Sequence, residues 1–291
     1  MANKHWWSAP AGGPSAILIA LLTSVALHAQ APAQQAPARP WPPARLADGQ
    51  PDVQGTYRPP GGGTQSIDPL MSSAADFEQR ATGVARQFKS VIVDPADGHV
   101  PYQPWAAALL KNLAANWEHP SRPEHIDTQT RCFVPGIPRV YYFPTYRIIQ
   151  QPGNVVFIWD EYHAYRVIPL DGRPHASPNV KLWMGDARGH WEGTTLVVDT
   201  TNLNAKSRLD VVGDFYSQNA RILERFIFVD GNTMNYEATI TDPTVFTRPW
   251  TLRVAQRRIA DDEFWEFACH EGNHDDDVTS KQFTNSGAAK P

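Results

Sequence analysis

Residues 151–204 read QPGNVVFIWDEYHAYRVIPLDGRPHASPNVKLWMGDARGHWEGTTLVVDTTNLN. The runs at 155–159, 165–168 and 196–198 are rich in β-branched and aromatic residues, the composition of strands. Pro152-Gly153-Asn154, Asp171-Gly172 and Glu192-Gly193 punctuate them with turn residues. The same rhythm continues through Asp230-Gly231-Asn232 and Asp261-Asp262. WEGTTL and VDGNTM have hairpin chemistry, because Gly or Asn supplies the positive φ of a tight turn. Sequential hairpins predict an antiparallel meander of about eight strands, which removes its exposed edges by closing. The expected fold is mainly β, a lipocalin-like barrel or a strongly curved sheet. A β-sandwich is the alternative, and no repeat period supports a propeller.

Upstream of the strands, residues 73–89 and 103–118 have helical periodicity. The second window places Trp105, Leu109, Leu113 and Trp117 on one face, so one or two helices are expected to pack on the sheet. Residues 1–29 have the layout of an export signal. Lys4 and His5 precede apolar stretches at 16–22 and 25–27, with a plausible cut after Ala29. That apolar run is short for a bilayer span, so the mature chain is expected in the periplasm or outside the cell, without stable membrane insertion. Residues 30–51, rich in Ala, Pro and Gln, read as a tether. Residues 52–275 then form one β-rich domain with its helical part at 73–118, and 276–291 a disordered tail.

Of the 291 residues, 42% are hydrophobic and the formal net charge is −4. That apolar fraction can bury a core, and the mild acidity without a basic stripe argues against nucleic acid as a partner. Cys132 and Cys269 are the only cysteines. In an oxidising compartment they suggest one disulfide, tying the start of the strand-rich region to its last strand; two separate buried thiols are the alternative.

The ionisable residues set among the strand runs point to a site, since each buried one needs a partner. Alternation along 154–168 puts Trp159, Glu161 and His163 on the same face as Val155 and Phe157, with Asp160 and Arg166 opposite. Glu224 shares a face with Ile222, Phe226 and Phe228, and Tyr236 with Met234, Ala238 and Ile240. An aromatic-lined cavity is therefore expected, with His163, Glu224, Tyr236 and Glu161 as catalytic candidates for acid–base work near neutral pH. Trp159 and Arg166 would contact the substrate, and Arg173, His175 and Asp186 would do so from the rim. The bland alternative is a buried network in which Glu224 pairs with Arg166 or Arg253. Asp160 reads as a salt-bridge partner.

Residues 270–274, His270-Glu271-Gly272-Asn273-His274, satisfy H-E-x-x-H, the spacing of a zinc metallopeptidase. Gly272 and Asn273 are poor helix formers, and no His or Glu follows as a third ligand. No metal is assigned to these residues, and no cofactor is expected.

Three blocks, HAYRVIPLDGRPH, WMGDARGHWEGTTLVVDTTNLN and DPTVFTRPWTLR, resemble a family of secreted bacterial β-rich proteins with no settled activity. The resemblance spans about residues 51–275, with a PDVQGTY-like opening strand. It implies export and one β-rich domain, and it carries over no catalytic residue. Two positions depart from the family pattern. Tyr216-Ser217-Gln218 stands where members commonly have a His-Ser-Asp-like segment, and His274 stands where the tail usually reads CxEGNR.

The expected function is an exported small-molecule enzyme using cofactor-independent acid–base chemistry of lyase, isomerase or hydrolase type. Its partner would be an aromatic, terpenoid or glycoside molecule. A non-catalytic lipocalin-like binding protein is the first alternative, an envelope-associated interaction protein another, and the zinc peptidase the least favoured.

Overall fold

Five strands open the β-rich region in the computed structural model: β1 (Gly55–Arg58), β2 (Ile92–Asp94), β3 (Tyr146–Gln151), β4 (Asn154–Trp159) and β5 (Tyr165–Pro169). Five more complete it: β6 (Asp186–Glu192), β7 (Thr195–Thr201), β8 (Arg221–Phe228), β9 (Thr233–Thr241) and β10 (Trp250–Ile259). The structure describes residues 40–60, 67, 90–117, 119–142, 144–261 and 264–269. The export signal, the helical window at 73–89, the H-E-x-x-H residues and the tail lie outside them.

The strands form one sheet in the order β5-β4-β3-β1-β10-β9-β8-β7-β6, with β2 paired to β10. Every pairing is antiparallel. The expected turn residues make the hairpins: Gly153 (φ 72°) joins β3 to β4 and Gly193 (φ 64°) joins β6 to β7. The sheet is curled rather than closed, a strongly curved sheet with a helix packed on it. At the seam the outermost strands β5 and β6 meet through side chains, with no ladder among the described residues. Gly189 makes this approach possible: a Cβ there would lie 2.6 Å from Ile168 Cγ2 and 2.9 Å from Leu170 Cδ2.

Strand alternation puts one face of each strand inside the curl, where Ile148, Val155, Phe157, Leu196, Val198, Ile222, Phe226, Met234, Ala238 and Leu252 are buried. Helix α1 (Pro104–Asn116) starts with Pro at its first position, where a missing N–H costs nothing. Its buried stripe is Ala106, Leu110 and Leu113. The expected stripe is rotated, because Trp105 and Leu109 are 51% and 40% exposed. Trp105 reaches back instead, its Nε1 donating to the Thr244 carbonyl at 3.1 Å.

Residues 40–51, expected to belong to the tether, are folded onto one end of the curl. Gln50 is buried, and its Nε2 donates to the Gln151 carbonyl at 2.9 Å. Its Oε1 accepts from Gln150 Nε2 at 3.0 Å and from Trp191 Nε1 at 3.3 Å, so one side chain links β3 to β6.

Cys132 and Cys269 are joined, with Cα atoms 5.8 Å apart. Cys269 lies beyond β10 rather than in the last strand. The bond therefore pins the segment 264–269 beside the β4–β5 turn, where the Phe267 amide donates to the Asp160 carbonyl at 3.3 Å.

Candidate functional site

The inside of the curl, where a ligand chamber was expected, is filled. A 3-10 helix (Arg139–Tyr141) drops Tyr141 into it. The Tyr141 ring centroid lies 4.3 Å from Tyr236, 5.1 Å from Phe226 and 5.5 Å from both Phe157 and Trp159. Trp159 is 2% exposed, and its Nε1 donates to the Val140 carbonyl at 2.9 Å. It is a core residue that braces this insertion.

Glu224 sits in the same interior, fully buried, and is answered by Arg166. The guanidinium donates from Nη1 to Oε1 at 2.9 Å and from Nη2 to Oε2 at 2.6 Å. Thr200 Oγ1 donates to Oε2 at 2.6 Å and the Tyr236 hydroxyl to Oε1 at 2.9 Å. Burial is what pushes the Tyr236 phenol well up, reinforced by the Glu224 charge, and Arg166 opposes it. A bidentate pair with its remaining lone pairs met is the arrangement a buried charge requires. Glu224 thus meets Arg166, while Arg253 pairs with Glu237 on the outer face.

Arg166 points inward, contrary to the strand-face reading, and His163 points out. The reason is local. Strand β4 ends at Trp159, and the chain turns through Tyr162 (φ 62°) and His163 (φ 48°) before β5 begins. The turn reverses the chain, so even-numbered residues of β5 share the face of odd-numbered residues of β4. His163 is 70% exposed, with Glu266 at 3.9 Å as its ion-pair neighbour among the described residues, so it does not join Glu224. Asp160 forms no ion pair among the described residues. It accepts from the Glu161 amide at 2.9 Å and hydrogen-bonds Thr145.

The rim candidates form a latch on the outer face. His175 lies with Nδ1 2.9 Å from Asp186 and Nε2 2.9 Å from Asp199. Arg188 completes Asp186 and Arg221 completes Asp199. Burial pushes the Asp186 carboxyl up, but the Ala176 amide, His175 and Arg188 outweigh it and hold it below its ordinary value. This network stitches the 170–185 connection onto β6 and β7. Arg173 is exposed and clasps Asp171.

A cleft open to solvent carries titratable groups. It measures about 300 Å³ and is lined by Asp127, Gln129, Thr130, Glu161, Tyr162, Val211, Phe267 and Cys269. The β4–β5 turn supplies one wall, the chain before Cys132 the second and the pinned segment 264–269 the third. Burial holds the Glu161 carboxyl above its ordinary value; a hydrogen bond to Tyr162 opposes this and the nearby Asp160 charge adds to it. Burial also raises the Tyr162 phenol, with the Glu161 charge second. Asp127, beneath the cleft, is clamped by both terminal nitrogens of the buried Arg139, at 2.8 and 2.7 Å. The Gln129 Oε1 is buried without a hydrogen-bond partner among the described residues.

Of the sequence-chosen catalytic residues, Glu161 alone lines this cleft. Tyr162, Gln129 and Phe267 were missed. The cysteine pair was the available signal, since joining Cys132 to Cys269 brings residues 127–130 and 267 to one place. Among the described residues no group of three or more His, Cys, Asp or Glu could hold a metal ion, and none forms a helix long and apolar enough to cross a membrane.

The chain matches no family model, no curated protein and no solved structure.

Proposed function

We propose that this is an exported small-molecule enzyme that works by cofactor-independent acid–base chemistry, with its site at the mouth cleft rather than inside the curl. The observation that carries this reading is Glu161. It is a carboxyl whose burial raises its pKa, bonded to Tyr162 at a turn of two left-handed residues, and it faces a solvent-open cleft. A carboxyl shifted toward neutrality is suited to both taking and returning a proton. Left-handed non-glycine backbone costs energy, and such strain gathers at functional sites.

In the carboxylate form Glu161 would take a proton from the substrate, and in the acid form return it to a neighbouring atom or to the leaving group. Tyr162 would steady the carboxylate with which the cycle begins and ends. Lyase, isomerase and hydrolase reactions share this cycle. The disulfide is in keeping with an oxidising compartment, and the layout of residues 1–29 supports export. The aromatic filling of the curl disfavours a lipocalin-like chamber.

The test begins by screening the mature protein against aromatic, terpenoid and glycoside libraries. On the substrate so found, Glu161→Gln is expected to lower kcat by about 10²–10⁴-fold, the worth of a general acid or base, while substrate still binds. Wild-type turnover in that variant would sink the proposal.

A further inference from the structure

A serine, a histidine and an asparagine meet near the end of α1, and none of the three lines the cleft. Asn112 is exposed on that helix, and Ser121 precedes a 3-10 turn (Pro123–His125) that ends on the buried His125. The Ser121 hydroxyl lies 3.2 Å from His125 Nδ1, and Asn112 Oδ1 lies 3.1 Å from Nε2. The backbone fixes the tautomer. The Ser121 amide, which can only donate, points at Nδ1 at 3.3 Å, so Nδ1 carries the lone pair. Nε2 then carries the proton and donates to Asn112. The Ser121 hydroxyl thus donates toward a base whose far side is oriented by an amide, the order of nucleophile, base and orienter in acyl-transfer sites.

The surroundings suit that role. Burial of the ring acts first and the Arg122 charge second; Glu124 opposes them, Arg208 adds to them, and His125 is held below its ordinary value. It is therefore a free base at neutral pH. Arg122 Nη2 lies 3.3 Å from Nε2, and Glu124 anchors the same guanidinium through Nε at 3.1 Å. Ser121 itself is exposed, so a substrate can reach it. We propose that Ser121, His125 and Asn112 form an acyl-transfer site whose substrates are carboxylic esters. Nδ1 takes the hydroxyl proton as Oγ bonds to the acyl carbon, and gives it to the leaving alkoxide as the ester C–O bond breaks. Water then yields a proton to Nδ1 and its oxygen to the acyl carbon, and Nδ1 returns that proton to Ser121 Oγ as the acid departs. Ester and water become alcohol and carboxylic acid. An exposed serine positions its substrate loosely, which suits a reactive ester and not a peptide bond. The proposal does not rest on the Glu161 cleft.

A fluorophosphonate probe, which phosphonylates serines activated in this way with loss of fluoride, tests it on the full chain. Peptide mapping is expected to place the adduct at Ser121, and turnover of p-nitrophenyl acetate should fall to background in Ser121→Ala. That variant retains the backbone amide bonded to Nδ1, so its melting temperature should match the wild type. His125→Gln should slow labelling about 10²-fold or more, the worth of a general base. Because His125 is buried, the wild-type pH profile gives a second measure that needs no variant. Labelling should fall on acidification with a half-point below about 6.5, the ordinary histidine value, as Nδ1 takes up a proton. An adduct elsewhere or none at all overturns the proposal. So does unchanged turnover in Ser121→Ala, equal labelling of a folded His125→Gln, or a labelling rate that simply follows hydroxide concentration.

Discussion

Arg166 and Glu224 show how much a single buried pair can demand. Each ion leaves water at a cost of several kcal/mol, and only close, bidentate contact with every remaining lone pair met offsets it. Thr200 and Tyr236 supply those extra bonds. Arg166→Met should therefore cost about 3–5 kcal/mol, because Glu224 is left charged and alone. The double variant Arg166→Met/Glu224→Leu should recover most of that loss. Urea unfolding of the single and double variants measures the coupling; equal stabilities for the two would contradict it. At the cleft, Tyr162 makes a sharper test of one hydroxyl. Its bond to Glu161 favours the carboxylate and so lowers the Glu161 pKa against the upward push of burial. Tyr162→Phe removes that restraint, so the pKa should rise further. A base that must be deprotonated then works only at higher pH, and the acid limb of kcat/KM should move upward.

At the scale of elements, the seam between β5 and β6 decides whether the sheet curls tightly enough to bury its inner face. Gly189 has no side chain because Ile168 and Leu170 occupy that space. Its backbone is ordinary, so the constraint is steric and not conformational. Gly189→Ala should destabilise by about 1–3 kcal/mol, the usual cost of forcing atoms into a filled core. Thermal unfolding checks this, and amide exchange in β5 and β6 should quicken first if the seam is where the strain falls. The latch of His175 with Asp186 and Asp199 acts on the same strands from outside, holding the long 170–185 connection against β6 and β7.

For the whole molecule, the bond from Cys132 to Cys269 spans a sequence separation of 137 residues. Closing so long a loop removes freedom mainly from the unfolded chain, and losing a native disulfide typically costs about 2–5 kcal/mol. It also fixes the segment that brings Phe267 to the cleft. Cys132→Ser/Cys269→Ser is expected to lower the unfolding midpoint and to raise KM more than it lowers kcat, since the wall of the site loosens while Glu161 stays on its turn. An unchanged midpoint would show that the fold does not depend on the crosslink.

Strand content, hairpin positions, antiparallel pairing and a strongly curved sheet were legible in the residues, because turn chemistry and period-two alternation are local properties; the placing of β1 between β3 and β10 was not. The placement of Trp159, Glu224 and Tyr236 in an aromatic interior followed from the same alternation. What local pattern could not carry was parity across the turn at 160–164. Two left-handed residues ended β4 there, sent His163 outward and brought Arg166 in. Alternation also could not say whether the interior was hollow, since Tyr141 reaches it from a 3-10 helix outside the strands. The cleft joins residues near 129, 161 and 267, which only the tertiary path and the disulfide make neighbours. The sequence determined the sheet because strands and turns are set by neighbours along the chain; the tertiary structure alone decided the site, because which charges are paired, and which acceptors are left unmet, depends on residues far apart in the chain.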